Sequence, residues 1–382
     1  MRFRFLLLLF FVISLSAKTG INDSLLNFGI RQIYNLQFLK AENIFTGIIK
    51  QHPESPVGYF FDAMIVWWKI ALDMDNEQND EEFYDKLEKT IDICDDALDK
   101  NPEDTEAMFF KGGALGFRGR LKSIREEWFD AALDGKDALP LVYKVAELDT
   151  SNIDVRLGFG IYNYYAAAVP EKYPFVKPFM VFFPGGDKKK GLEQLEYVAK
   201  NGKYAKYESL YFLLSINYGF EENNLQTLKY ASMLFTEFPD NAVFERYIGR
   251  VYFRMGNFPQ STETFKKIYR KCKESKTGYN KNATREAGYY IGLDLMKKGE
   301  TEESIKYFEE DRKLSLQIDT DEESGFLINS SLYLGKLYMR LQKYDKAEKY
   351  FEEVLDFRDF RDSHRNAENE LKQLKTAIKK QS

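Results

Sequence analysis

The chain is poor in the residues that most often build catalytic and metal centres, with 2 cysteines and 2 histidines in 382 residues. Cys94 and Cys272 stand far apart inside helical patterns, so they form no disulfide framework of the kind that staples small secreted domains; two buried thiols are expected. His52 falls in a turn and His364 in a polar tail, which excludes a histidine-rich metal site. Basic excess is missing too: 55 Lys and Arg against 60 Asp and Glu give a formal charge of -5. A phosphate backbone is held mainly by concentrated Lys and Arg, so no nucleic-acid partner is expected. Only 10 prolines interrupt the chain, and beyond its N-terminus no apolar run is long enough to span a bilayer.

Signatures of chemistry are also absent. "GGDKKKG" at 185–191 lacks the spacing of a phosphate-wrapping loop, and "DMDNEQNDEE" at 73–82 lacks the glycine and final glutamate of a calcium loop. No nucleophile stands beside a base, and no pair of carboxylates separates itself from solvated helix faces. A non-enzymatic protein is expected, with no catalytic residue, metal or cofactor.

What is present begins at the N-terminus. Arg2 and Arg4 precede an apolar stretch from Phe5 to Leu15, and the small residues Ser14, Ser16 and Ala17 follow. This is the layout of a signal peptide, read as residues 1–17, and no cysteine follows that would mark a lipoprotein. The expected destination is export, either periplasmic or peripherally attached to the outer membrane.

The remainder is ordered by composition, 44% apolar and 30% charged, and it repeats. Gly335, Tyr338, Ala347 and Phe351 place a small residue ahead of others at 3, 12 and 16 positions. The same offsets return as Gly249, Tyr252, Ser261 and Phe265, and as Gly292, Leu295, Ser304 and Phe308. Earlier copies run Gly29, Gln32, Ala41, Phe45 and Gly112, Leu115, Ile124, Trp128, and a weaker one runs Ser215, Tyr218, Thr227, Ala231. Small residues let two helices approach closely, and an aromatic side chain fills the space beside them.

This pattern resembles the tetratricopeptide repeat (TPR) family, which pairs a small residue in helix A with small and aromatic positions in helix B. The resemblance implies an all-α fold, a right-handed superhelical TPR-like α-solenoid with an enlarged, irregular central unit. The expected divisions are N-terminal repeats at 22–136, an irregular unit at 137–204, C-terminal repeats at 205–360 and a capping helix at 361–382. Inside the irregular unit, "PFVKPFMVFFPGG" belongs to an apolar connector at 170–187, where Pro170, Pro174 and Pro178 argue against continuous helix. Through Gly186, Asp187, Gly191 and Leu192 this region is similar to the eukaryotic tetratricopeptide repeat 39 proteins and to a yeast mitochondrial outer-membrane protein of inclusion clearance.

Function is expected at surfaces. The connector phenylalanines Phe175, Phe179, Phe182 and Phe183 are candidates to close a core, to dock on a partner or membrane, or to line a ligand pocket, together with Tyr162 and Tyr165. On a concave face, Arg250 with Arg254 and Lys336 with Arg340 are candidate contacts, each pair four residues apart. The favoured reading is an exported scaffold or adaptor for protein–protein interaction in a bacterial cell envelope, binding another envelope protein or an extended peptide, with peripheral membrane contact as a further option. The alternative is a periplasmic receptor for an apolar or aromatic small ligand in the concave face.

Overall fold

In the computed structural model, residues 20–182, 184–320 and 322–381 are described, without the side chains of residues 179, 181, 182, 380 and 381. The expected signal peptide and Phe183 lie outside the described residues. The first three hairpins are α1 (Asp23–Tyr34) with α2 (Phe38–Gln51), α3 (Pro56–Leu72) with α4 (Asp80–Lys100), and α5 (Thr105–Ile124) with α6 (Trp128–Leu148). A 3-10 turn at Ile153–Val155 leads to α7 (Arg156–Lys172), a connector 3-10 helix (Pro174–Phe182) and α8 (Lys188–Asn201). Then come α9 (Lys206–Gly219), α10 (Asn224–Glu237), α11 (Ala242–Arg254), α12 (Phe258–Lys273), α13 (Lys281–Lys298), α14 (Thr301–Ile318), α15 (Gly325–Arg340), α16 (Tyr344–Asp356) and a final α17 (Ser363–Gln381). Every regular element among the described residues is helical, and the hairpins stack in chain order as a solenoid with an enlarged central unit.

Helix starts follow capping chemistry. Asn22, Asp104, Asn241, Asn280 and Ser324 each accept a bond from a backbone N–H of the first turn, satisfying one of the donors that a helix leaves unpaired. The turns between helix A and helix B share a device. Leu36, Glu126, Glu222, Gly256, Gly299 and Gln342 all have positive φ, and each lies two residues before a helix B. The α3–α4 and α7–α8 links lack that device and carry the longer loop and the connector instead.

The repeat positions meet in four hairpins. A Cβ built on Gly29, Gly249 or Gly292 would lie 2.7, 2.8 or 3.1 Å from the ring of Phe45, Phe265 or Phe308, and one on Gly335 would collide with Phe351. Ser261 and Ser304 add hydrogen bonds from their hydroxyls to the Gly249 and Gly292 carbonyls, at 2.9 and 2.8 Å, where Ala41 and Ala347 simply pack. Gly112 and Trp128 make no such pair. Gly112 faces Ala138 and Leu141, Trp128 opens α6, and it is Gly119 that approaches Ala131 and Asp134. The register in this hairpin is therefore seven residues, two helical turns, later than the sequence offsets suggest. α6 also runs unbroken through the division expected at residue 137, and Pro170 lies inside α7 rather than ending it.

The array folds back on itself. One apolar core runs from Leu26 in α1 to Leu295 in α13, and a second joins α13 to α17, where Ala367 and Leu374 of the final helix are buried as a cap. At the seam of the first core, Tyr34 and Arg120 both donate to the Glu208 carboxylate of α9, each at 2.9 Å. The Arg120 guanidinium lies 4.5 Å from the Trp67 ring and 4.3 Å from that of Phe212. Trp68 packs on Tyr211 and Phe244, and Tyr34 stacks on Phe238. Asn241 donates to the Tyr34 carbonyl at 2.8 Å, and Arg246 and Asn280 reach the terminal carbonyl of α3 at Leu72. In the second core Asp311 is buried; Ser330 donates to one carboxylate oxygen and the other has no hydrogen-bond partner among the described residues.

Three outcomes follow from this packing. Gly335→Ala should destabilise despite a helix-propensity gain of about 1 kcal/mol, because overpacking costs about 1–3 kcal/mol. At Gly47 and Gly116 a Cβ meets nothing within 4 Å, so alanine there should stabilise; urea unfolding that ranks all three alike would refute the packing account. Glu208→Ala should cost about 2–4 kcal/mol by stranding the half-buried Arg120 cation, against about 1.5–3 kcal/mol for Tyr34→Phe, and a cost under about 1 kcal/mol for the first would show that the seam does not depend on it. Burial pushes the Asp311 carboxyl up to about 7, outweighing the Ser330 bond and the nearby Arg285 charge. The folded state then holds this proton more tightly than the unfolded chain, so the stabilisation is complete below about pH 4 and is lost as pH rises through about 7. Relative to Asp311→Asn, the wild type should lose stability across that window, and parallel pH profiles of the two proteins would exclude the effect.

Candidate interaction surface

Repeat arrays usually bind along the concave face, where helix A side chains line up. Here the helix A residues of α1, α3 and α5 are spent on α9 and α11, so the ring of Tyr34, Trp68, Tyr211, Phe238 and Phe244 is core. The volume assigned to a ligand by the receptor alternative is filled by the chain's own side chains. The cavity of about 420 Å³ that the structure does record is an open hollow at the α15–α16 turn, lined by residues 342–346.

The four basic candidates do not converge. Arg250 and Arg246 both pair with the buried Glu286 of α13, whose carboxyl these two guanidiniums hold down at about 2 against the cost of burial. Arg254 donates to the Tyr218 carbonyl at 2.9 Å and lies over its ring. Lys336 pairs with Glu370 of α17 at 3.3 Å, and Arg340 donates to the Met296 carbonyl at 3.3 Å. Each ties neighbouring helices together.

A different surface opens in the central unit. α7 packs closely on α8, because Gly160 and Gly191 bring the two backbones together and Gly186 lies against the α7 backbone at Asn163 and Ala167. Asp187 caps α8, accepting from the Lys190 N–H at 3.0 Å. These contacts give Gly186, Asp187 and Gly191 a packing role. α6, by contrast, meets α7 at Val142 and Tyr143, against Gly158 and Phe159, and packs on it far less than α8 does. The connector packs against both, with Trp128 against Tyr173 and Phe175. Phe129, Leu133, Pro140 and Tyr143 remain on one exposed face of α6, with Phe129 56% and Tyr143 51% accessible.

The connector candidates divide accordingly. Phe175 is 55% exposed and Val176 is buried beneath it. Tyr162 is half-buried and its hydroxyl donates to the Pro184 carbonyl. Tyr165 packs edge-on to Phe212 and Phe220, where burial pushes its hydroxyl up to about 12. Phe179 and Phe182 lie in the connector helix, but their side chains, like Phe183, are outside the described residues.

Among the described residues no group of side chains assembles an active centre. Cys94 is a buried free thiol pushed up to about 12 by that burial, and Cys272 is a second free thiol, half-buried. Among the described residues no group of three or more His, Cys, Asp and Glu could hold a metal ion, and no helix is long and apolar enough to cross a membrane.

The surface residues were harder to read from sequence than the repeats. The seam had a weaker signal: Glu208 is the single charge in "YESLYFLL", and Arg120 is one of two arginines in the otherwise apolar "GALGFRGRL". The α6 stripe had one as well: Phe129, Leu133, Pro140 and Tyr143 recur at helical spacing, and only the folded chain shows that these side chains are exposed.

A tetratricopeptide repeat family model matches residues 331–358, the α15–α16 hairpin. No curated protein matches the sequence. Among solved structures, PilF of Pseudomonas aeruginosa is similar at 15% identity, covering 61% of this chain and 90% of its own, with a TM-score of 0.39. The C-terminal part of a TPR repeat-containing protein from Cytophaga hutchinsonii gives 12% identity, 80% and 98% coverage and a TM-score of 0.36. Human IFIT1, solved as a dimer with m7Gppp-AAAA, gives 11% identity, 94% and 87% coverage and a TM-score of 0.41. The architecture is TPR-like; none of these matches reaches the finer likeness of the middle region to the tetratricopeptide repeat 39 proteins.

Proposed function

We propose that the protein is an exported, non-enzymatic scaffold or adaptor that joins protein partners in a bacterial cell envelope, periplasmic or peripherally attached to the outer membrane. The observation that carries this reading is the exposed apolar face of α6. In a continuous solenoid, helix B is covered by the next hairpin. In this chain the stacking opens after α6, and Phe129, Leu133, Pro140 and Tyr143 present an apolar stripe that Lys136 interrupts on the same face and Glu147 ends. Such a stripe fits an amphipathic helix or extended segment of another envelope protein. Export rests on the N-terminal Arg2, Arg4 and the apolar run that follows them.

The test is crosslinking and capture from native envelope, comparing wild type with Leu133→Glu, Tyr143→Glu. Both side chains are exposed, and because Tyr143 also meets the Phe159 ring of α7, an unchanged helical signal and melting temperature are the control that the variant stays folded. Loss of one defined partner, by about tenfold or more, is the expected outcome for charges placed in an apolar contact. An unchanged partner set would remove α6 as the interaction face.

A further inference from the structure

The connector helix and the first turn of α8 form a second surface feature with a different chemistry. Residues 172–190 contain Lys172, Lys177, Lys188, Lys189 and Lys190 against the single acid Asp187, a local charge of five minus one, +4, in a chain of net charge -5. Lys188, Lys189 and Lys190 occupy the first three positions of α8, and that first turn holds no acidic residue. A helix N-terminus carries partial positive charge, so three lysines there oppose the macrodipole. Their local partners compensate weakly. Lys188 meets Glu171 at the surface, Lys189 is 87% exposed and 4.0 Å from Glu193, and Lys190 is exposed. Stability does not account for that placement, which directs attention to something outside the chain.

The apolar half of the feature is the connector itself, whose start at Tyr173 and Pro174 follows Glu171, the residue that Lys188 of α8 meets. Pro174, Phe175, Lys177 and Pro178 are exposed in the connector, while Val176 is buried and Trp128 and Tyr173 back the Phe175 ring. Two prolines in a short 3-10 helix hold these side chains outward at little further entropic cost. Aromatic and aliphatic groups interleaved with lysines are the chemistry of a bilayer interface, where rings enter the acyl boundary and ammonium groups reach lipid phosphates. An acidic protein would answer the lysines, but it would leave the exposed Phe175 and the two prolines without a matched apolar groove. A bilayer needs no shape complement.

We propose that the connector helix and the lysine turn of α8 dock the protein reversibly on an anionic phospholipid surface. This rests on the peripheral attachment in the proposed function, assigns it a surface, and needs no protein partner. The experiment is co-sedimentation of the purified protein with phosphatidylethanolamine–phosphatidylglycerol vesicles, with phosphatidylcholine vesicles as the neutral control. Wild type should bind the anionic vesicles, bind the neutral ones at least about tenfold less, and weaken as salt rises. Lys177→Glu, Lys189→Glu, Lys190→Glu should lose about 100-fold or more, since each exposed lysine near such a surface is worth roughly fivefold. Phe175→Ser should lose about tenfold. Unchanged circular dichroism would show that the variants remain folded.

The proposal is overturned if wild type stays in the supernatant, if neutral vesicles bind it equally, or if the triple variant sediments like wild type. It is also overturned if vesicles do not bind wild type while the triple variant loses a crosslinked protein, which would assign the lysines to a protein contact. Leu133→Glu, Tyr143→Glu should retain vesicle binding, so failure of the α6 reading and failure of this one are separately visible.

Discussion

Glu208 sits in α9 with 8% of its surface exposed, and its carboxylate is held from two sides by Tyr34 of α1 and Arg120 of α5. A buried charge is costly unless paired and hydrogen-bonded, and here each partner imposes a further demand. The guanidinium of Arg120 is itself enclosed by rings from α3, α5 and α9, and Tyr34 is stacked on Phe238 at the end of α10. Helices 88 and 174 residues apart in sequence must therefore meet at one point. Apolar contact alone is non-directional. A carboxylate with two donors fixes where α1 and α5 lie on α9, and the surrounding aromatic core takes its register from that.

Closing the seam decides which surfaces are left for partners. An open solenoid offers its concave face, whereas this one fills that face with Trp68, Tyr211 and Phe244 and ties its rim with Arg31, Glu237, Asn282 and Asp73. The basic side chains of α11 and α15 are drawn into the same economy of internal pairs. Arg250 and Arg246 neutralise Glu286, and Lys336 reaches the capping helix. What remains for recognition is the place where stacking is interrupted.

The repeats were legible because their physics is local. A glycine sixteen residues before a phenylalanine implies a close helix crossing, and Gly249–Phe265 and Gly292–Phe308 make that crossing. The Gly112–Trp128 register failed because α5 and α6 are long, 20 and 21 residues, and the extra turns slide the crossing to Gly119 and Ala131. Positive φ at Leu36 or Gln342 had no sequence signal, since glycine fills only some of the six equivalent turns. Nor did the concave basic pairs reveal their partners. Glu286 is 36 residues from Arg250 and Glu370 is 34 from Lys336, and one-dimensional spacing does not report such pairings.

The break after α6 has a physical origin in the hairpin that follows it. Gly160 and Gly191 let α7 and α8 approach so closely that a Cβ at Gly191 would lie 2.6 Å from the Tyr164 nitrogen. Tyr164, buried on that same helix, bonds to Glu221 and packs on Phe220 just beyond α9. α7 is thus committed to its C-terminal neighbours, and it packs far less on α6 than on α8. An apolar 3-10 helix packs against both α6 and α7 there, with Val176 buried and Phe175 left exposed. An exposed stripe on α6 and an exposed ring on the connector are two consequences of one close glycine crossing, which is why the least regular unit of the array is also the one with surface left to offer.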